Sequence, residues 1–355
     1  MLDFDEYKRL GEPDKQEKSG NWIAAIGLQE VDGLKPSAYL IQTAKKNIDG
    51  DITFDEVKER LKNYYAAKPV NAESKGRTEE ADKVSAHIAE ILSEKTFTFS
   101  PAEYITIHKR LFSGIYKFAG KIRDYNICKN EWALDGDTVY YASADSITAT
   151  LDYDFAMEKA FTYKGLSPTQ AAEHVAKFVS NIWQIHAFGE GNTRTTAVFA
   201  IKYLRTFGFA VNNDLFAEKS RYFRNALVRA NFNDHKNGIY ATTEYLDNFF
   251  GNFLLGENNI LKNHDLHVPQ KGSDTVTPNI DTVSDVERGT ENCYGDTTGD
   301  PVIALIKKEP HITAAEITER LGLSIATVKR RIKKLKDGGI IERIGSDKTG
   351  YWRVV

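Results

Sequence analysis

Apolar residues recur at helical spacing along much of this chain, which predicts a mainly α protein. Ser167-Pro168-Thr169-Gln170 combines a cap residue, Pro at the first helical position and Gln at the capping-box position. Ala172, Val175, Val179 and Ile182 then fall on one face. Ala197, Ile201 and Leu204 form the apolar face of a second helix, stopped at Phe207-Gly208. Earlier, Thr53-Phe54-Asp55-Glu56 is a capping box, with Val57, Leu61 and Tyr64 sharing a face behind it. Glu131 to Tyr141 breaks the helical period. It reads as a β-hairpin turning at Asp135-Gly136. Near the C-terminus, Val302, Leu305 and Ile306 mark one helix, and Thr313 to Glu316 caps a second that ends at Leu321-Gly322. Ser324 caps a third, with Ile325, Val328, Ile332 and Leu335 facing inward. Gly338-Gly339 leads into Ile340–Ile344, a turn at Asp347-Lys348 and a run from Tyr351 to Val354. That order is a helix-turn-helix with a two-stranded wing, an α+β unit.

The chemistry is concentrated between the first two helices. Ile185-His186-Ala187-Phe188-Gly189-Glu190-Gly191-Asn192-Thr193-Arg194 holds an imidazole, a carboxylate, two glycines, an Asn and an Arg. Gly189 and Gly191 allow a sharp turn and close ligand approach. Loop amides and the first amides of the next helix make an anion site. Arg194 can fork onto phosphate, and Glu190 can hold Mg²⁺ against phosphate oxygens. His186 precedes the loop, where a neutral imidazole can take a proton from an attacking hydroxyl. The segment lacks the Gly-Lys-Ser/Thr ending of a Walker loop. It also follows a helix, unlike a Rossmann fingerprint, which follows a strand.

These residues resemble the Fic domain signature, His-x-Phe-x-(Asp/Glu)-Gly-Asn-Gly-Arg-x-x-Arg, at His186, Phe188, Glu190, Gly191, Asn192 and Arg194. Ile107-His108-Lys109-Arg110-Leu111-Phe112 and Ala119-Gly120-Lys121-Ile122-Arg123 resemble the region upstream of that signature, so the likeness runs over about residues 80–255. The resemblance implies a helical catalytic domain with a hairpin flap. Such a domain transfers AMP from Mg-ATP to a Ser, Thr or Tyr hydroxyl of a protein. His186 would be the general base, Phe188 the loop anchor and Glu190 the Mg²⁺ ligand. Gly189, Gly191, Asn192 and Thr193 would line the phosphate site, and Arg194 would bind the outer phosphates. Phe223 and Asn231, on a helix after Arg221, would belong to the adenine pocket. Trp132, Thr138, Val139 and Tyr140 would form the flap that docks the target by strand pairing. Two positions depart from the family: its second Gly is Thr193, and its second Arg is Ala197. Losing that Arg removes a charge-assisted contact worth about 1.5–3 kcal/mol. Phosphoryl or phosphocholine transfer on the same scaffold therefore stays open. So does a DNA-binding regulator whose degenerate Fic domain senses a nucleotide.

Ala24 to Leu34, the helical stretch after it and the Asn47-Ile48-Asp49-Gly50 turn resemble the small antitoxin modules that inhibit Fic proteins. Those modules carry Ser/Thr-x-x-x-Glu-Gly or Glu-Asn, and their Glu pairs with the second Arg. Here Asp32-Gly33 aligns with Glu-Gly, Leu28 with the Ser/Thr, and the Arg partner is Ala197. The expectation is that Asp32 belongs to a structural or regulatory cap that does not use the family's Glu–Arg lock.

Composition divides the chain further. It has 355 residues and a formal net charge of −3. Residues 301–355 carry twelve Lys and Arg against six Asp and Glu, so the rest is acidic. The basic unit resembles the winged-helix domains of bacterial regulators. Thr327, Arg330, Arg331 and Lys334 on its third helix are the expected DNA contacts. The domain reading is an N-terminal helical module over 1–68, a catalytic domain over 78–256, a polar linker over 257–299 and a winged helix over 300–355. Residues 68–77 also read as linker. Cys128 and Cys293 make neither a disulfide framework nor a zinc site, and no apolar run reaches membrane-spanning length. The acidic N-terminus lacks the regions of a signal peptide. A cytoplasmic protein follows. Its expected partners are ATP or another nucleotide, a target protein and DNA. A homodimer is compatible with the sequence.

Overall fold

The computed structural model describes residues 4, 6–7, 11–67, 73–207, 214–268, 301–321, 328–329, 332–333, 335–336, 340–345 and 350–354. Its contacts divide the chain into two compact units. The first is Met1–Asp124, Asn130–Asn233 and Tyr240–Val276, and the second is Tyr125–Lys129, Asp234–Ile239 and Thr277–Val355.

In the first unit, helix α1 (Pro13–Gly27) starts with Pro at its first turn and buries Trp22, Ile23, Ala24, Ala25 and Ile26. A 3₁₀ turn, Leu28–Asp32, follows and ends at left-handed Gly33 (φ 64°). Helix α2 (Ala38–Asp49) is capped by the Ser37 side chain, and α3 (Phe54–Ala66) by the full Thr53/Glu56 capping box. Helix α4 (Glu73–Ser93) packs along α1. It carries buried Asp82, which accepts from Ser37 N at 2.7 Å, Ser37 Oγ at 2.5 Å and Tyr65 Oη at 2.6 Å. One carboxylate thus fixes the start of α2 and the end of α3 against α4. The N-terminal helices therefore share a core with the rest of this unit. Residues 73–77, read as linker, are helical.

Helix α5 (Pro101–Leu111), helix α6 (Ile147–Ala160) and helix α7 (Pro168–Ile185) bring the chain to the loop. Helix α7 opens with the Ser167/Gln170 capping box read from the sequence. Helix α8 (Asn192–Thr206) is buried on every side from Asn192 to Leu204. It packs against α4, α5 and α7. Phe199 on α8 meets the rings of Phe97, Tyr104 and Phe155 with centroids 5.3–5.5 Å apart. Burying such a ring is worth about 3–5 kcal/mol against Ala. Helices α9 (Asp214–Glu218), α10 (Ser220–Ala230) and α11 (Glu244–Leu255) complete the unit. Residues 257–268, read as linker, are packed here: Leu261 and Leu266 are buried, and Arg229 donates to the Leu266 carbonyl at 3.1 Å.

The expected hairpin over 131–141 is corrected. Trp132–Leu134 is a 3₁₀ turn, Asp135 (φ 53°) and Gly136 (φ 88°) are left-handed, and these residues form no strand ladder. Glu131 N donates to Asp137 O at 2.9 Å and Gly136 N donates to Glu131 O at 3.1 Å, which closes the loop at its base without a ladder. Ala133 and Leu134 are both buried. Neighbouring strand residues point to opposite faces, so a strand could not bury both on one side.

In the second unit, α12 (Pro301–Lys308) and α13 (Ala314–Leu321) precede an antiparallel pair, β1 (Ile341–Ile344) and β2 (Tyr351–Val354). Ile341 pairs with Val354, and Ile344 with Tyr351. Thr313 and Glu316 cap each other at the start of α13. Val302, Ile306, Ile317, Val328, Ile332 and Leu335 share one core. The two helices and the paired strands follow the order read from the sequence, and described residues 328–329, 332–333 and 335–336 are helical. Cys293, Thr327, Arg330, Arg331 and Lys334 lie outside the described residues.

Candidate active site

The end of α7 is the pivot of the site. His186 caps it in the left-handed conformation (φ 50°, ψ 56°). A side chain there costs about 1–2 kcal/mol relative to a right-handed one. Arg123 offsets that cost. Its Nε donates to the His186 carbonyl at 2.7 Å, and Nη2 donates to Ile185 O at 3.3 Å and Ala142 O at 2.5 Å. The backbone N–H of Arg123 also donates to Ala187 O at 3.0 Å.

The loop after His186 is closed by its own last residue. Asn192 Oδ1 accepts from Phe188 N at 2.9 Å, and its Nδ2 donates to Phe188 O at 2.7 Å. Asn192 is thus a clip across the turn. Nδ2 carries a second hydrogen besides the one given to Phe188 O. Phe188 is fully buried and stacks on His108 with centroids 3.7 Å apart. His108 Nδ1 accepts from Gly120 N at 2.8 Å, so its Nε2 carries the proton and donates to Glu190 O at 3.0 Å. Burial, and after it the nearby Arg194 charge, pull the His108 pKa down to about 4 against a helpful bond to Glu190. Gly191 (φ 77°) starts α8, and a Cβ there would sit 2.2 Å from the Phe112 ring. An α-helix leaves its first-turn amides without internal acceptors. Helix α8 therefore presents those of Asn192, Thr193 and Arg194 at the loop. Thr193 is buried and accepts from Trp183 Nε1 at 3.0 Å, so a side chain here ties α8 to α7.

Arg194 is 1% exposed and fully engaged. Nη1 donates to Gln29 Oε1 at 3.0 Å and Nη2 to Glu80 Oε1 at 2.8 Å. Nε lies 2.8 Å from Asp32 Oδ2 as an ion pair without hydrogen-bond alignment. The Phe112 ring covers the guanidinium at 4.8 Å. Burial opposes the charge, but Asp32 and then Tyr116 and Glu80 outweigh it and hold Arg194 protonated. Asp32 therefore does meet an Arg of this motif, but it is Arg194 and not position 197. Ala197 is fully buried within α8.

A further ion pair is joined to the imidazole through Tyr141. Tyr141 rests on His186 with ring centroids 4.1 Å apart, and His186 is 2% exposed. The Tyr141 hydroxyl donates to Glu131 Oε1 at 3.1 Å, and Glu131 Oε2 lies 2.7 Å from Arg224 Nη2 on α10. Burial and then the Glu131 charge push the Tyr141 pKa well up, so it stays a neutral donor.

Residues 98–204, which include this loop, match the family described as Fic/DOC. The chain carries a Fic domain. Residues 302–342 match the winged helix-turn-helix DNA-binding family. One similar curated protein is "Protein adenylyltransferase VbhT" of Bartonella schoenbuchensis. It is 27% identical over 108 residues, 30% of this chain and 21% of that protein. The match thus spans about a fifth of the relative's length. Among solved structures, the N-terminal Fic domain of Bep8 from Bartonella sp. 1-1C has TM-score 0.41 and 18% identity, covering 52% of this chain and 87% of that one. The N-terminal Fic domain of a putative cell filamentation protein from Bartonella quintana has TM-score 0.40 and 22% identity, covering 52% and 84%.

The other candidates have different surroundings. Phe223 is a core ring, fully buried against Phe216 and Phe249 with centroids 5.0–5.1 Å away. Asn231 caps α10 by donating to Leu227 O at 2.9 Å, and it reaches Ser180 Oγ on α7 at 2.8 Å. Trp132 is 40% exposed against His267, Val139 is buried, and Tyr140 is 53% exposed. The Thr138 hydroxyl donates to the Val139 carbonyl at 3.2 Å. Arg123, His108, Gln29, Glu80, Tyr141 and Arg224 were assigned no role from the sequence. His108, Arg123 and Arg224 sit in segments that carry the family resemblance, which was their one signal.

Proposed function

We propose that the Fic domain is a protein adenylyltransferase. The observation that carries the reading is the left-handed His186, set at the end of α7 beside the Asn192-clipped loop and the free amides of α8. The α-phosphate of ATP would lie against those amides. His186 takes the proton of a Ser, Thr or Tyr hydroxyl on the target, and the hydroxyl oxygen attacks the α-phosphorus. The bond to the bridging oxygen breaks, and pyrophosphate leaves. The similar protein named an adenylyltransferase supports this choice of transferred group.

The loop fits Mg²⁺ in the way the ion is bound with nucleotides, through one carboxylate and the phosphates. Glu190 is the half-exposed carboxylate on it. Among the described residues no group of three or more His, Cys, Asp or Glu forms an all-protein metal site. When bound, the ion offsets charge on the phosphates. The chain's own part is to aim Glu190, whose carbonyl is held by His108.

Asp32 acts as a regulator in this reading. With Gln29 and Glu80 it holds Arg194, which must be released before it can bind the outer phosphates. The loop from Trp132 to Tyr140 docks the target without a preformed hairpin. The winged helix binds DNA. Its described recognition-helix residues Lys329, Lys333 and Lys336 are exposed, opposite buried Val328, Ile332 and Leu335. No helix of the described residues is long and apolar enough to cross a membrane.

The test is intact mass after incubation with Mg²⁺ and ATP. A gain of about one AMP (~329 Da), on this chain or an added target, that is absent in His186→Ala is expected. A gain of about one phosphate (~80 Da) would replace adenylyl with phosphoryl transfer.

A further inference from the structure

We propose that Arg224 is a second guanidinium, beside a released Arg194, that takes the outer phosphates of the nucleotide, and that Glu131 is the internal anion it gives up to do so. The proposal rests on the adenylyl-transfer reading and names a residue that selects a triphosphate over a monophosphate.

Among the described guanidiniums beside the Fic loop, Arg123 and Arg194 are held by aligned internal hydrogen bonds. Arg123 is consumed by the carbonyls of residues 142, 185 and 186. Arg194 is 1% exposed, with aligned bonds to Gln29 and Glu80. One turn further along α8, Ala197 offers no charge. Arg224 differs in each respect. Its side chain is 24% exposed, and among the described residues it pairs with a single carboxylate at 2.7 Å that lies off the hydrogen-bond axis. Such a pair is an exchangeable charge contact, and phosphate would offer Arg a bidentate fork.

Its placement suits that role. Helix α10 touches both the Leu28–Asp32 turn and the Trp132–Leu134 turn. Arg221, one turn earlier, pairs with Glu30 at 3.6 Å, so this face of α10 is basic. Against the penalty of burial, Glu131, then Asp32, and also Glu190 favour the charged form of Arg224. Glu190 belongs to the loop itself, so Arg224 is within electrostatic range of the anion site.

Exchange at Arg224 also acts on the base. Glu131 is fully buried and holds the Tyr141 hydroxyl, and the Tyr141 ring covers His186. A buried carboxylate that loses its cation is strongly destabilised. Glu131 must then move or be hydrated, and Tyr141 moves with it. Outer-phosphate binding and access to His186 become one event.

Calorimetric titration of the full chain in Mg²⁺ with α,β-methylene-ATP and with AMP tests this. Arg224→Gln should weaken the triphosphate analogue by about tenfold or more and leave AMP within about twofold. Glu131→Gln, which removes the competing anion, should tighten the analogue. The Arg224→Gln/Glu131→Gln double variant leaves no unpaired buried charge and should still bind the analogue weakly, so misfolding cannot imitate the result. Equal loss for both ligands, no loss, or an unchanged affinity in Glu131→Gln overturns the proposal. A wild-type chain that binds neither ligand overturns the adenylyl-transfer reading, and this proposal with it.

Discussion

His108 shows how much of the site depends on one buried, neutral side chain. It is fully buried, stacks on Phe188 and bonds Gly120 and Glu190. Unfolded, its imidazole takes up a proton near pH 6.5, whereas in the fold it does so only near 4. Between those values the unfolded chain binds more protons, so stability is complete above about pH 6.5 and falls as the pH drops toward 4. The shift corresponds to about 3 kcal/mol across the window. His87 shifts in the same direction through burial and adds to the slope. Urea unfolding between pH 7.5 and 5 should show this loss in the wild type and a shallower one in His108→Gln. Identical slopes would remove His108 from the account. At this scale the sequence was legible where chemistry is local. The left-handed turn at Gly191 could be read from residue type alone. Asn192 was placed in the right loop, but its engagement with Phe188 depends on a turn that only the fold defines. Thr193 read as a lost glycine, and its bond to Trp183 supplies the missing reason.

Elements whose start signals are local formed where they were read. The capping boxes at Thr53 and Ser167 both close with the expected reciprocal bonds. The stretch from Glu131 to Tyr141 did not follow its turn dipeptide. Asp135-Gly136 does turn, but Ala133 and Leu134 must both be buried, and a 3₁₀ turn achieves that. The Leu28–Asp32 turn is the element with most reach. It places Gln29 and Asp32 on Arg194, more than 160 residues away in the chain. No spacing rule predicts such a pairing, which is why position 197 looked like the only lock. Asp32 is 33% exposed on its side chain, so its pair is partly screened and worth about 1 kcal/mol or less. Asp32→Ala should therefore leave the fold intact, because Glu80 still neutralises Arg194. It should speed adenylyl transfer by up to about fivefold, as the Arg is more readily released. Mass-based rates beside thermal unfolding would show this. A rate that falls, or does not change, would make Asp32 a purely structural contact.

Across the whole molecule, charge is divided between an acidic body and a basic C-terminal segment, and that division was visible in composition alone. The described part of the third helix adds orientation. Val328, Ile332 and Leu335 enter the core, which leaves Lys329, Lys333 and Lys336 on the exposed side. Helical spacing makes this unavoidable: burying one stripe exposes the other. Cations placed this way bind a duplex mainly by releasing its counterions, so the logarithm of affinity should fall linearly with the logarithm of salt. Each phosphate contact contributes a slope of about −0.9. Fluorescence anisotropy of a labelled duplex, titrated with the full chain at several salt concentrations, reads that slope directly. A triple variant, Lys329→Ala with Lys333→Ala and Lys336→Ala, should bind more weakly on every sequence and lose about one unit of slope for each lysine that touches phosphate. None of the three lysines belongs to the shared core, so folding should survive the change. An unchanged slope would take this face out of the interface. A lower affinity with an unchanged slope would point instead to altered packing of the helix, because lost phosphate contacts cannot leave the salt dependence intact.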